Sequence, residues 1–281
     1  PAPSSAARLL SIGGMGAEAA MPRAVSSCCR AALLRATVAP MKRAGTEILK
    51  LRALRGALAP HSAIPVRWRA SARATRVSLR ICPREAEVVV TLPQPISRRA
   101  GIALIREHEA WVIDKLSRLS PPLDFAPGAA LPLGGVPHVI RHEPRRRGGP
   151  FLEGGAVVVT GARAFLRRRV ADFLRAEAQR RIARLAHPHA VALGVTPRAI
   201  RVKDPRSRWG SCAPDGTLAF SWRLVMAPEW VADYVVAHEV AHMRELNHSP
   251  RFWALLDGLT PHREAAVEWL RAEGPALLRV G

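Results

Sequence analysis

Two histidines and a glutamate have a spacing that suits the binding of a divalent cation. Residues 238–242 are His-Glu-Val-Ala-His, and positions i and i+4 of a helix lie on the same face, one turn apart. His238 and His242 can therefore direct their imidazoles at one ion, while Glu239 lies beside that ion without having to coordinate it. A carboxylate in this place is suited to act as a general base toward water. The pattern predicts a hydrolytic metal site.

The third ligand is expected from the residues that follow. His248 lies six residues after His242 and is preceded by Asn247, a residue type that tolerates the left-handed conformation in which helices often end. Such a turn can bring His248 back to the ion, whereas Glu264 is the alternative ligand if it is not simply part of an exposed helical face. Three protein ligands and one open position are typical of catalytic zinc, while structural zinc has four protein ligands.

The upstream half of the predicted motif helix is apolar, which indicates a helix packed in a core rather than on a solvated surface. Pro228 suits the first turn of this helix. Ser249 and Pro250 are suited to cap and begin the next helix, which is expected to end near residue 258. Buried imidazoles in such a setting need a partner. The apolar or aromatic residues concerned are Trp230, Val231, Tyr234, Val235, Val236 and Ala237.

Four segments around the motif resemble one known family. They are residues 207–212 (Ser-Arg-Trp-Gly-Ser-Cys), 217–224, 234–242 and 247–253. Together they resemble the YgjP-like metallopeptidases, relatives of the SprT-like zinc proteases, and the likeness covers about residues 62–275. The resemblance implies one Zn²⁺ ion held by His238, His242 and His248, with Glu239 as the catalytic base. It implies a peptide or protein substrate but does not specify which one.

The composition of the chain changes near residue 62. Residues 1–61 are rich in Ala, Arg and Ser, with nine Lys or Arg against only Glu18 and Glu47. They are expected to be a disordered or non-native N-terminal extension. An organelle transit peptide, an upstream translation start and a short amphipathic helix over residues 46–58 remain open. Residues 62–275 are expected to form the metallopeptidase domain, with a β-rich part at about 62–160 and a catalytic helical part at about 161–275.

The predicted fold class is α+β, with an N-terminal antiparallel β-rich part followed by a zincin-like helical metallopeptidase core with a small β-sheet. Short β-rich runs broken by turn residues predict an antiparallel meander. Helices are predicted over residues 98–119 and 163–185, the second ending near His187 and His189, which lack a third ligand nearby. The strands are predicted at residues 66–68, 76–81, 87–92, 131–133, 136–141 and 156–160.

A hairpin or small sheet is predicted just before the motif helix, from residues 199–202 and 217–222. The edge of such a sheet can bind an extended peptide by β-augmentation. Arg206 and Arg208 lie between these strands and are candidates to stabilise an oxyanion or to bind a substrate carboxylate. The other interpretation, which the sequence favours, is that they hold the sheet to the motif helix. Tyr234, one turn before His238, is expected in the core.

The net charge of +21 raises the question of anionic partners. Arginine clusters at residues 67–80, 145–147 and 167–169 can form a basic surface for a weak nucleic-acid contact. Runs of charge are also commonly solvated, and a GC-rich coding sequence favours arginine. The four cysteines include no CxxC pair, which predicts neither a thiolate zinc site nor a disulfide framework. No apolar run has the length of a membrane span, and we expect a cytoplasmic protein.

The sequence therefore favours a zinc-dependent peptidase. Three other hypotheses stay open at this point. One is a nucleic-acid-associated protein whose metal site is structural or vestigial, and a second is a protease that acts on DNA-bound proteins. A third keeps the hydrolytic chemistry but applies it to a non-peptide amide. The oligomeric state is not indicated.

Overall fold

The computed structural model describes residues 46–50 and 63–281. These residues form two compact units, one ending at Leu119 and the other running from Ser120 to Gly281. The predicted extension over residues 1–61 lies outside the described residues apart from Thr46–Lys50, which is a β-strand and not the start of a helix. The predicted division of residues 62–275 near residue 160 stays a prediction.

A four-stranded sheet forms one layer of the first unit. Its strands are β1 (Thr46–Lys50), β2 (Ala63–Ser71), β3 (Ser78–Cys82) and β4 (Glu87–Pro93). The strand order is β1-β2-β4-β3, and the inner pair β2–β4 is parallel while both outer pairs are antiparallel. The predicted antiparallel meander is therefore wrong in its middle pairing. Because β4 is buried along almost its whole length, it occupies a central position between β2 and β3.

Two short helices complete this unit, α1 (Arg98–Glu107) and α2 (Glu109–Ser117). A single helix was expected over residues 98–119, but the chain leaves helical geometry at His108. Ile105, Val112 and Leu116 from the helices pack against alternate residues of β2 and β4. This alternation is the period-2 pattern of a sheet with one face in the core.

The second unit begins with another four-stranded sheet. Its strands are β5 (Ala130–Leu133), β6 (Val136–Glu143), β7 (Phe151–Glu153) and β8 (Ala156–Thr160). The order is β5-β6-β8-β7, again with a parallel inner pair and antiparallel outer pairs. All five residues of β8 are buried, as expected for a strand covered on both faces.

A long helix, α3 (Leu166–Ala192), follows a 3₁₀ turn at Arg163–Phe165. It is longer than the helix expected over residues 163–185, and it continues through Pro188. An interior proline costs a helix about 3 kcal/mol. Ala186, His189 and Ala190 around it are buried, and His189 Nε2 lies 2.7 Å from Asp233 Oδ1. Contacts with the rest of the protein therefore keep the chain helical at Pro188, although proline normally ends a helix.

The remaining elements surround the metal motif. A three-stranded sheet has β9 (Ala199–Lys203) parallel and β10 (Gly210–Cys212) antiparallel to the central β11 (Thr217–Ser221). A 3₁₀ turn at Trp222–Met226 then leads to four helices, α4 (Glu229–Ala241), α5 (Pro250–Leu259), α6 (Arg263–Ala272) and α7 (Gly274–Leu277). The mixture of sheets and helices is consistent with the predicted α+β class. No helix within residues 46–50 and 63–281 is both long and apolar enough to span a bilayer.

A buried arginine ties the end of the chain to the turn before α4. Arg223 is fully buried and donates to the backbone oxygen of Val280 from Nε, at 3.2 Å, and from Nη2, at 2.9 Å. It also forms an ion pair with Asp204 and lies over the ring of Trp222. A buried guanidinium needs such partners because its desolvation is otherwise costly.

Replacing this arginine is expected to destabilise the second unit. Arg223→Ala removes the ion pair with Asp204 and both hydrogen bonds to the Val280 carbonyl, and losing buried hydrogen bonds of this kind costs about 1–3 kcal/mol. Urea denaturation of the full chain measures the free energy of unfolding. Arg201→Ala, an exposed arginine on β9, is the matched control and is expected to change that value by less than about 0.5 kcal/mol. Equal stabilities for the two variants would contradict the prediction.

Candidate metal centre

Helix α4 places the two motif histidines in the core. Every residue from Tyr234 to Ala241 is buried, and His238, Glu239 and His242 are 1%, 0% and 2% exposed. The helix ends at Ala241, with His242 as its C-cap residue. The expected burial of the motif helix is therefore confirmed, and both imidazoles are removed from water.

The turn between α4 and α5 brings the third histidine back. Asn247 does not adopt the left-handed conformation that its residue type suggested, because Ala86 is the single non-glycine residue with positive φ in the described chain. Instead its Oδ1 accepts a hydrogen bond of 2.9 Å from the Ser249 amide. Ser249 in turn caps α5 by accepting from the Phe252 amide at 3.3 Å. This side-chain-stabilised turn directs His248 toward His238.

The three imidazoles converge through the same ring nitrogen. His238 Nε2 lies 3.1 Å from His242 Nε2 and 3.0 Å from His248 Nε2. Two nitrogens at about 2.0–2.1 Å from a tetrahedral zinc ion are about 3.3 Å apart, so a small outward movement would fit the ion. Among the described residues, these three histidines are the group whose candidate ligand atoms lie close enough to hold one metal ion. Glu264 is not part of it and lies exposed on α6.

The electrostatics of the imidazoles favour metal binding over protonation. Burial holds the pKa of His238 well below its usual value, and the neighbouring His242 and His248 lower it further. Burial also lowers the pKa of His242. Its Nδ1 lies 3.0 Å from the Glu245 backbone oxygen, which fixes Nδ1 as the donor and leaves Nε2 with a lone pair. Neutral rings whose lone pairs face one another suit a shared cation.

Aromatic rings enclose the histidines. Phe252 stacks on His242 with centroids 4.5 Å apart, and Trp253 lies 5.4 Å from His248. Tyr234 contacts His238 edge-on at 6.0 Å, and burial raises the pKa of its hydroxyl, which therefore stays protonated. The sequence alone did not assign Phe252 or Trp253 to the site. Both lie in the first turn of α5, directly after the Ser249 cap, so their closeness in sequence to His248 was the available signal.

Glu239 is held between α4 and strand β10. A Cβ atom added to Gly210 would lie 2.5 Å from both Cγ and Oε1 of Glu239, so glycine is the residue that permits this contact. Burial raises the pKa of Glu239 to about 8, and the charge of Arg208 and the Cys212 backbone amide only partly offset that effect. Neither carboxylate oxygen has a hydrogen bond of standard geometry within the described residues. A buried carboxyl group whose oxygens have no partner in the protein is a candidate for proton transfer.

The arginine clusters carry many internal partners. Arg67 pairs with Glu87 at 2.7 Å, and Arg146 pairs with both Glu143 and Glu153. Arg169 donates to the Thr160 hydroxyl at 3.0 Å. These contacts account for part of the charge, and the weak nucleic-acid contact stays a prediction.

The fit of Gly210 against Glu239 can be tested through stability. Gly210→Ala forces either the carboxylate or β10 to move, and overpacking of this kind costs about 1–3 kcal/mol. The matched control is Gly258→Ala, because a Cβ on Gly258 would meet nothing within 4 Å. Urea denaturation of both variants measures the difference in unfolding free energy. A Gly210→Ala variant as stable as the control would show that the contact is looser than described.

Comparison with known proteins agrees with the geometry of the site. No curated protein and no solved structure matches the chain. The family described as YgjP-like, metallopeptidase domain, matches residues 75–273. This match covers well over half of the 281 residues and includes parts of both compact units as well as the three histidines and Glu239. The chain belongs to the YgjP-like metallopeptidase family.

Proposed function

We propose that the protein is a zinc-dependent peptidase in which His238, His242 and His248 hold one Zn²⁺ ion and Glu239 is the general base of peptide-bond hydrolysis. The observation that carries the proposal is the convergence of three buried Nε2 atoms next to a fully buried carboxylate. Zinc held by three imidazoles supplies a Lewis acid that makes water more acidic and polarises a carbonyl group. The donor set of three neutral nitrogens suits zinc.

Glu239 moves the protons in this mechanism. It accepts the proton of the attacking water and then donates it to the nitrogen of the departing amine. Burial alone raises the pKa of Glu239, whereas a Zn²⁺ ion held beside it would favour the ionised carboxylate that accepts a proton. Both of its oxygens lack a hydrogen-bond partner among the described residues, so their acceptor capacity is not used by the protein there.

Strand β10 is proposed to orient the substrate. It pairs with β11 on one side, and no strand within the described residues pairs with its other side. An extended peptide can add to such an edge through backbone hydrogen bonds, which would bring its carbonyl groups past Glu239. This arrangement of an edge strand beside the motif helix is also the basis on which we propose a zincin-like core.

The first prediction separates the base from the ligands. Glu239→Gln should retain about one zinc ion per chain, because the three imidazoles remain, and should lose casein hydrolysis by about 10²–10⁴-fold, the usual contribution of a general base. Elemental analysis and a casein digest measure the two properties on the same sample. Glu264→Gln is the control and should change neither. Unchanged hydrolysis in Glu239→Gln would remove Glu239 from the mechanism.

A second prediction concerns the ligands themselves. His238→Ala, His242→Ala and His248→Ala should each lose zinc and hydrolysis together, because two imidazoles bind the ion far more weakly than three. Zinc should stabilise the wild-type chain against heat, by about 2.7 kcal/mol at a hundredfold excess over its dissociation constant. The variants should not gain this stability. His187→Ala, at an exposed position of α3, should behave like the wild type.

The alternatives predict different results in these experiments. A structural or vestigial metal site predicts zinc binding without any casein cleavage. Should Glu264→Gln lose zinc while His248→Ala keeps it, the ligand set would be wrong although the peptidase function could stand.

A further inference from the structure

The second unit contains a pocket that is separate from the three histidines. Its volume is about 700 Å³, which lies in the range of about 300–1,000 Å³ that is typical of ligand sites. Most of its lining is apolar and includes Trp230 at the start of α4, Trp269 on α6, Met226 and Leu277. Neither the histidines nor Glu239 line it. The pocket therefore needs an explanation other than the metal centre.

Backbone hydrogen bonds hold the walls of this pocket in place. The amide of Gly135, in the turn between β5 and β6, donates to the Met226 carbonyl at 3.0 Å. In another part of the wall, the Leu123 amide donates to the Arg279 carbonyl at 3.1 Å, and the Gly281 amide donates to the Leu123 carbonyl at 3.0 Å. Because these contacts exist without a ligand, binding in the pocket requires little ordering of the protein.

Helix α6 presents one of its faces to the pocket. Ala265, Glu268, Trp269 and Ala272 line it, and their spacing of i, i+3, i+4 and i+7 is that of one helical face. The two alanines and Glu268 are exposed, and Trp269 is partly exposed. Since alanine is small, the indole of Trp269 can be reached by a side chain that enters the pocket.

The charged residues that line the pocket are both carboxylates, Glu268 and Glu273. Both are exposed, and among the described residues neither side chain forms an ion pair or a hydrogen bond. The chain has 43 Lys or Arg against 22 Asp or Glu, and most carboxylates of the second unit have an arginine partner. Examples on neighbouring helices are Glu229 with Arg184 at 2.6 Å and Asp257 with Arg263 at 3.4 Å. The pocket thus combines apolar walls with two negative charges that the protein itself does not neutralise.

We propose that this pocket binds a cationic, apolar segment of the protein substrate, at a distance from the bond that is cleaved. The inference rests on the proposed peptidase function. An aromatic or long aliphatic side chain of the segment packs against the indoles of Trp230 and Trp269, and Lys or Arg residues beside it pair with Glu268 and Glu273. Acidic segments are rejected, because a further carboxylate in the pocket would meet two others.

The length of α4 gives the separation between this pocket and the metal centre. Trp230 and His238 are eight residues apart on α4, which corresponds to about 12 Å along the helix axis. An extended peptide rises about 3.3 Å per residue, so about four residues or more separate the docked segment from the cleaved bond. A short peptide at the metal centre does not reach the pocket, whereas an unfolded protein reaches both. Docking then raises the effective concentration of the rest of that protein at the metal.

Peptide binding to the zinc-loaded, full-length Glu239→Gln chain tests the pocket separately from cleavage. The probes are acetyl-Lys-Ala-Trp-Leu-Ala-Lys-amide and the same peptide with Glu in place of both Lys. Only the basic peptide should bind in calorimetry, and added salt should weaken its binding. Glu268→Gln combined with Glu273→Gln should weaken it about threefold to tenfold, because two ion pairs at the protein surface are lost. Glu264→Gln is the matched control, since Glu264 is exposed on the same helix but does not line the pocket.

A second variant fills the pocket and leaves its charge unchanged. Ala272→Trp places an indole at an exposed lining position and should weaken binding of the basic peptide about thirtyfold or more, as expected when an anchoring side chain is blocked. Glu264→Trp is the control, because it adds the same side chain to α6 outside the pocket. Zinc content and thermal unfolding of every variant are measured on the same samples, so that loss of fold is recognised.

Kinetics on the zinc-loaded wild-type chain test the substrate role. Cleavage sites in casein are mapped by mass spectrometry, and a capped hexapeptide spanning one site is compared with two extended forms. Each form carries the basic segment at one end, joined by a flexible linker of about eight Gly or Ser residues, which is long enough to span the separation. One extension should lower KM about tenfold and leave kcat nearly unchanged, because docking is equally strong in the ground state and the transition state. In the double glutamine variant most of this gain should be lost.

The outcomes separate the inference from the function on which it rests. Casein cleavage by a chain that binds the basic peptide no better than the acidic one, or equally well in all variants, would overturn the docking role and leave the peptidase function intact. A wild type that binds the basic peptide in the pocket but cleaves neither casein nor the peptides would overturn the peptidase function, and with it the substrate role. A dimer in light scattering that Ala272→Trp dissociates would assign the pocket to a second copy and also overturn that role.

Discussion

The burial of α4 is the constraint on which the rest of the second unit depends. A helix in the middle of a protein core normally carries apolar side chains, but this one also carries two imidazoles and a carboxylate that are almost fully buried. Removing such groups from water is costly unless they are hydrogen-bonded, paired or bound to a metal. The two imidazoles meet a third from His248, whereas Glu239 meets the backbone of β10. Each of these contacts requires a neighbouring element in a fixed position.

The surrounding contacts provide that fixed position. His189 on α3 contacts Asp233 on α4 at 2.7 Å. Although burial tends to raise the pKa of Asp233, His189, Thr260 and His262 together outweigh it, and the pKa lies below its usual value. On the other side, Arg223 joins the turn before α4 to the last residues of the chain. Both contacts are polar and at least partly buried, so they specify one arrangement of the helices more narrowly than apolar packing would.

Strand β10 links the fold to the chemistry. It contributes little to the core by itself, with three residues at the edge of its sheet. Its glycine allows the backbone to approach Glu239. The family match, which runs from residue 75 to residue 273, includes this strand together with α4.

Local patterns in the sequence were sufficient to predict part of the candidate site. The i, i+4 spacing places His238 and His242 together in any helix, and the cap of α5 depends on Ser249 and its near neighbours. Most helices and strands were also located from their periodicity, because that signal lies within each segment. Their ends were less certain, as the break at His108 and the continuation through Pro188 show.

Tertiary structure decided the features that join distant parts of the chain. The pairs β2–β4 and β6–β8 are parallel because each joins strands two places apart in the chain, and turn signals do not encode that pairing. The same holds for the contact of Gly210 with Glu239, twenty-nine residues later. The residue types and the helical spacing determined that a metal could bind. The packing of β10 against α4 decided which groups surround it, because such contacts depend on the whole core and not on any one segment.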